Sequence, residues 1–180
     1  MDKTKDNLIL IGMPGSGKST VGVLLAKALG MDFLDIDLVI QQREGALLQE
    51  LVDSRGTEGF LDAEEAAVKS LSCAGYVIAP GGSAVCRPGA AEHLKKLGTL
   101  VYLRLSCEAL TARLTNMATR GIAMEPGQTL QDVYNFRAPL YERYADLTVD
   151  ADNPTIHSTV SAVLRALNAP KDVLSRWPQA

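Results

Sequence analysis

The sequence is short of several things, and each shortage excludes a class of protein. Aromatic residues make up 5% of its 180 positions, and the cysteines number three, Cys73, Cys86 and Cys107, with no CxxC spacing. An odd, scattered set of thiols is neither a disulfide framework nor a zinc-ligand pattern; it fits reduced cysteines in a cytoplasm. His93 and His157 lack an HExxH partner and read as surface or helix-packing residues. No apolar run approaches the roughly 18 residues that a membrane span requires. The N-terminal MDKTKDNLIL lacks the apolar stretch and small-residue cleavage site of a secretory signal. Nor is there an excess of positive charge: 18 Lys plus Arg against 21 Asp plus Glu leave a net charge of −3. That balance gives no bulk attraction to nucleic acid or to an anionic membrane. Internal repeats and low-complexity tracts are also absent.

What is present is ordinary globular material, 47% hydrophobic and 22% charged. A chain of this length buries roughly 70% of its unfolded surface and needs no metal or disulfide to hold a core. Short aliphatic runs alternate with longer amphipathic ones. Leu8–Ile11, Phe33–Ile36, Tyr76–Ala79, Leu100–Leu105 and Leu147–Val149 read as strands. Ser19–Leu29 carries Val21, Leu24, Leu25, Ala28 and Leu29 at helical spacing, with Gly30 as terminator. Further helices are expected over Leu38–Val52 and Glu58–Leu71, parted by Ser54, Arg55 and Gly56. Others are expected over Pro88–Leu97, from Ser106 to about Met117, after a Thr129/Asp132 capping box, and over Pro154–Leu167. Pro139 predicts a kink or early break in the helix that contains it. Residues 119–128 form a loop and 171–180 a tail after a single domain of residues 1–170. The strand–helix alternation predicts an α/β parallel sheet with helices on both faces and a ligand site at the C-terminal strand ends.

One segment carries chemistry by itself. Gly12-Met13-Pro14-Gly15-Ser16-Gly17-Lys18-Ser19 fits the Walker A pattern GxxxxGK[ST] between the first strand and the first helix, the context that gives the motif its meaning. Small residues let successive backbone N–H groups turn inward around phosphate oxygens, and the helix N-terminus adds its partial positive charge. Lys18 supplies a full charge for the β- and γ-phosphates, and the Ser19 hydroxyl suits Mg²⁺. Thr20 extends the nucleotide set. Such a P-loop promises nucleotide binding but leaves the acceptor open. No NKxD segment accompanies it, and Asp53-Ser54-Arg55-Gly56 matches DxxG only between helices, so a guanine-nucleotide switch is disfavoured. A small-molecule kinase and a non-catalytic nucleotide-binding regulator remain.

The P-loop, Phe33-Leu34-Asp35-Ile36-Asp37, Pro80-Gly81-Gly82, Arg120 and Arg137-Ala138-Pro139-Leu140-Tyr141, in this order and spacing, resemble the shikimate kinase family over about residues 8–167. The resemblance implies a three-layer P-loop fold, a five-stranded parallel sheet with a mobile lid over about 119–128, like that of nucleoside monophosphate kinases. It implies a cytoplasmic enzyme of aromatic amino acid biosynthesis that moves the γ-phosphoryl group of ATP to a shikimate hydroxyl with Mg²⁺. By the same resemblance Asp35 holds the metal's hydration shell together with Ser19. Asp37 bonds and orients the acceptor hydroxyl, and Gly81 and Gly82 bring backbone close to the substrate. Arg137 grips its carboxylate, where a planar fork suits bidentate bonding. Arg120 reaches the transferring phosphate from the lid, and Arg113 with Asn153 and Pro154 frames the adenine. Asp37 also stands directly before an apolar helical run, where a helix N-cap is the plainer reading. Expected partners are ATP and a small hydroxylated substrate, with no nucleic acid and no membrane, and the expected oligomeric state is a monomer.

The pattern is broken on the acceptor side. The family carries an arginine directly after the phenylalanine of Phe60-Leu61-Asp62-Ala63-Glu64, and here that position is Leu61. The arginine is the second clamp on the shikimate carboxylate. A lost charge-assisted bond is worth about 1.5–3 kcal/mol, or about ten- to a hundredfold in affinity. Asp62 would repel a carboxylate if it faced the pocket, and Arg55 is a candidate replacement for the missing cation. Ser83 stands at the third glycine of the turn, Pro80 replaces a usual Thr or Leu, and the lid reads Arg120-Gly121-Ile122-Ala123. A kinase of the same fold acting on a sugar acid or a hydroxy amino acid is therefore the alternative to shikimate.

Overall fold

The structure is a computed structural model that describes residues 7–115, 123–125, 127–152 and 155–177. Five strands, β1 (Asn7–Ile11), β2 (Asp32–Asp35), β3 (Tyr76–Ala79), β4 (Gly98–Arg104) and β5 (Leu147–Asp150), form one parallel sheet in the order β2-β3-β1-β4-β5. Strand β1 lies at the centre, pairing Leu8 with Val77 of β3 and Ile9 with Leu100 of β4. All five of its residues are buried, which is why it reads as an unbroken apolar run and not as an alternating one.

Two groups of helices enclose the sheet. Helix α1 (Lys18–Leu29) packs on β2 and β3 and against α7 (Ile156–Ala166), which covers β5. Helices α4 (Pro88–Leu97) and α6 (Leu130–Tyr144) pack on β4, with α3 (Leu48–Lys69) against α4 and α5 (Cys107–Thr115) against α6. Helix α2 (Ile36–Glu44) packs on α3, and a short α8 (Lys171–Ser175) on α7, where Trp177 meets the His157 ring at 5.5 Å. The tail is thus docked as far as residue 177. Cys73, Cys86 and Cys107 are free thiols. No helix among the described residues is long and apolar enough to cross a membrane.

Three expectations need correction. The helix predicted over Leu38–Val52 is two helices: Gly45 ends α2 in the left-handed region (φ 64°), and its N–H bonds Gln41 O at 2.9 Å. Apolar periodicity carried across this break because Ala46 and Leu48 also pack on the core. The gap expected at Ser54–Gly56 is instead a kink inside α3, confined to Gly56 (φ 68°, ψ 179°). Pro139 does not break α6, which runs fifteen residues through it. That helix is fixed at its start by the Thr129/Asp132 capping box and downstream by buried Tyr141, so tertiary contacts outweigh the lost backbone bond.

Candidate active site

Strands β1, β2 and β3 deliver their C-terminal loops to one cavity of about 270 Å³. Its walls include Pro14, Gly15, Gly17, Lys18, Ser19 and Thr20 from the P-loop and α1, and Asp35 and Asp37 from the β2–α2 junction. Gly81, Gly82 and Ser83 come from the loop after β3, and Arg137 from α6. The order β2-β3-β1-β4 puts the loops after β1, β2 and β3 side by side, so residues far apart in sequence share one crevice.

The P-loop wall is tightly organised. Gly17 caps α1 with φ 91°, a conformation that an L side chain rarely adopts, and leaves the first amides of the helix facing the cavity mouth. Lys18 is buried, and its Nζ donates to Gly12 O at 2.9 Å and Met13 O at 3.0 Å. Burial holds its pKa down to about 8, against the opposing pull of Asp37, Glu64 and Asp35. Ser16 Oγ is buried with no hydrogen-bond partner in the chain. Ser19 Oγ donates to Asp35 Oδ2 at 2.7 Å.

The two aspartates divide their work differently from the simple capping expectation. Asp35, not Asp37, caps α2: its Oδ1 accepts from Asp37 N at 3.0 Å. That frees the Asp37 side chain to face the cavity. Burial pushes the Asp37 carboxyl above its ordinary range; the Asp35 charge adds to this, and Lys18 opposes it.

On the far wall, Arg137 is buried and its Nη2 donates to Ala123 O at 2.6 Å. Gly82 is pressed against the P-loop, for a side chain there would meet Pro14 Cδ at 2.5 Å. Its carbonyl accepts the Tyr141 hydroxyl at 2.5 Å, and Tyr141 in turn stacks on Tyr102 with ring centroids 5.1 Å apart. Tyr141 and Phe60, which also lines the cavity, were not singled out by sequence reasoning. Tyr141 stood in a quoted motif, but nothing in one dimension links it to Gly82, 59 positions away.

The replacements suggested for the missing arginine do not reach the cavity. Arg55 is half-exposed and pairs with Glu44 at 2.7 Å. Asp62 is exposed and pairs with Arg87 at 2.8 Å, so it does not repel an anion in the pocket. Leu61 is buried and lies outside the cavity lining. Arg113, from α5, donates to Ala151 O at 3.1 Å beyond the P-loop wall. Arg120, Asn153 and Pro154 lie outside the described residues, as does most of the expected lid.

A crevice with an amide cradle and a lysine on one side, and carboxylates and a guanidinium on the other, can pass a phosphoryl group from a nucleotide to an alcohol. Fold and crevice together define a P-loop small-molecule kinase, a phosphotransferase with an alcohol acceptor. The comparisons narrow the class. The shikimate kinase family model matches residues 14–168. A shikimate kinase of Thiobacillus denitrificans is 39% identical, covering 94% of this chain and 92% of its own. One from Pseudomonas paraeruginosa is 42% identical over 89% of this chain and 95% of its own. A solved shikimate kinase from Acinetobacter baumannii, in complex with shikimate, superposes with a TM-score of 0.81 at 31% identity, covering 92% of this chain and 94% of that one. The chain belongs to the shikimate kinase family.

Proposed function

We propose that the protein transfers the γ-phosphoryl group of ATP to a hydroxyl of shikimate, the compound for which its relatives are named, in the cytoplasm. The observation that carries this reading is one shared cavity in which the P-loop, Lys18 and Ser19 face Asp35, Asp37 and Arg137. Gly12 to Thr20 hold the phosphates, and Arg113, Asn153 and Pro154 hold the adenine. Lys18 leaves the Gly12 and Met13 carbonyls for the β- and γ-phosphate oxygens, and its burial strengthens that attraction. Asp37 accepts the hydroxyl's hydrogen bond, aims the oxygen at the γ-phosphorus and takes its proton; a carboxylate with a raised pKa is a better base. Gly81 and Gly82 admit the acceptor close to the backbone, Arg137 holds its carboxylate, and Arg120 neutralises charge on the moving phosphoryl group.

The donor set fits Mg²⁺. Ser19 and Asp35 offer one hydroxyl and one carboxylate, 2.7 Å apart, beside the cradle. No cluster of three or more His, Cys, Asp or Glu residues occurs among the described residues. Mg²⁺ is commonly held in this way, by one or two protein oxygens with phosphate and water completing the shell. When bound it would neutralise charge between the β- and γ-phosphates.

The test is calorimetry of ATP binding with magnesium, followed by coupled ADP release with shikimate. Saturable ATP binding and shikimate-dependent ADP release support the reading. Failure to bind ATP removes it.

A further inference from the structure

Among the described residues the cavity lining holds two cations, Lys18 and Arg137, and Lys18 belongs to the phosphate cradle. Arg137 is therefore the one guanidinium left for an acceptor carboxylate, and its Nη2 already donates to Ala123 O at 2.6 Å. A carboxylate has two oxygens and about four lone-pair sites, more than this partly engaged fork fills. Nearby arginines do not help. Arg55 holds Glu44, and Arg87 holds Glu58 and Asp62, while position 61, on α3, is apolar and outside the lining.

The remaining polar side chains of the lining can be taken in turn. Ser19 donates to Asp35 and stands with Thr20 at the start of α1, on the nucleotide wall. Asp35 and Asp37 are carboxylates, which accept hydrogen bonds and repel an anion. Ser83 is left, on the acceptor wall. It is buried, and it stands where the shikimate kinase pattern has the third glycine of the turn. Its backbone lies at φ −90°, ψ −8°, a conformation open to any residue, so the turn itself asks for neither serine nor glycine. The turn is firmly held: Cys86 N donates to Ser83 O at 2.8 Å, and Tyr141 fastens Gly82 to α6. The hydroxyl is thus an added donor on a rigid mount.

Behind the turn lies Glu64 of α3. A side chain at Gly81 would collide with its Oε1, and the Ser83 hydroxyl bonds its carboxylate. Burial pushes the Glu64 pKa up to about 7, with Asp37 acting in the same direction and Ser83, Arg137 and Lys18 opposing. An incoming carboxylate adds like charge and favours the protonated form further. A hydroxyl has one hydrogen and also accepts. With Glu64 donating its proton to Ser83 Oγ, the Ser83 hydrogen is released to an anion in the cavity.

We propose that Ser83 donates to the carboxylate of shikimate alongside Arg137, standing in for the arginine absent at position 61, with Glu64 as the positioning residue behind it. The proposal rests on the kinase reading above and assigns a specificity-determining side chain in that same site.

Steady-state kinetics of the full chain with MgATP test this. Ser83→Ala and Ser83→Gly should each raise the KM for shikimate about ten- to a hundredfold, the worth of a hydrogen bond to a charged group. A contact made equally in ground and transition states leaves kcat, and with it the KM for ATP, within about twofold. Methyl shikimate, whose ester carries no charge, is the control: its KM should change less than about threefold in either variant. In the L61R protein the new guanidinium covers the same oxygen, so adding S83A should cost less than about threefold. The glycine variant keeps the test standing if alanine disturbs the wall. An unchanged shikimate KM in both variants overturns the proposal. An equal loss with the methyl ester also overturns it, making Ser83 a packing residue, and so does an undiminished loss in the L61R background. A wild type that binds no ATP, or releases no ADP with shikimate, removes the kinase reading and the proposal with it, a failure visible before any variant is made.

Discussion

The two walls of the cleft follow different rules. On the nucleotide wall the motif is complete, and Lys18 and Ser19 are held by hydrogen bonds within the cradle and to its immediate neighbour Asp35. On the acceptor wall the buried Glu64 carboxylate lies beside Asp37, with the Gly81 backbone between them and the cavity. Phosphate is the same in every nucleotide, so its cradle tolerates little change. An acceptor pocket is specific to one compound, and its polar groups change with that compound. The acceptor wall is therefore more informative about substrate than the perfect match at the P-loop.

Lys18→Ala should have the largest effect, breaking the nucleotide wall whatever the acceptor. Turnover should fall at least about a hundredfold, the scale seen when one preorganised charge-stabilising donor is removed. Steady-state kcat measures it, and an unchanged value would remove Lys18 from the chemistry. Leu61→Arg should act only on the other wall. It gives Glu64 a partner one turn away and the acceptor carboxylate a second donor, lowering the KM for shikimate about tenfold or more. A folded L61R protein with an unaltered KM would show that position 61 does not communicate with the pocket.

The third effect is a pH dependence, felt in stability and not in turnover. The folded chain keeps the Glu64 proton up to about pH 7, whereas an ordinary glutamate gives it up near 4.5. Between those values the folded state binds more protons than the unfolded one. Stability from this group is therefore fully present below the lower value and is lost as pH rises through the upper one. The loss is about 3 kcal/mol. Asp37 acts in the same direction, so the useful quantity is the difference between wild type and Glu64→Gln. In urea melts the variant should gain on the wild type from pH 4.5 to 7 and run parallel above it. Parallel curves throughout would mean that Glu64 is paired or solvated. Lys18 acts at the other end of the scale: with its pKa lowered to about 8, its contribution to stability rises with pH only above that value.

Legibility in the sequence followed distance along the chain. The P-loop was readable because its eight residues are consecutive and their chemistry depends on being so. The strand segments, helix faces and the Thr129/Asp132 cap were readable for the same local reason. The capping role of Asp35 was not, because Asp35 and Asp37 are equally good capping residues and only the backbone of β2 decides where the turn begins. Leu61 was visible as a departure, but its meaning was not. Whether Arg55 or Asp62 compensates depends on where those side chains point, and each turned out to be paired outside the pocket. Tyr141 was invisible as a functional residue because its partner belongs to a different strand loop.

That tyrosine has a mechanical consequence. Its hydroxyl grips Gly82, Gly82 rests on Pro14, and Arg137 sits four positions earlier on the same helix. Helix, glycine turn and phosphate loop thus form a single strut between the acceptor's anchor and the triphosphate cradle. A shift transmitted along it from either end is felt at the other. By linkage, whatever factor the acceptor adds to the affinity for nucleotide, the nucleotide must return to the acceptor.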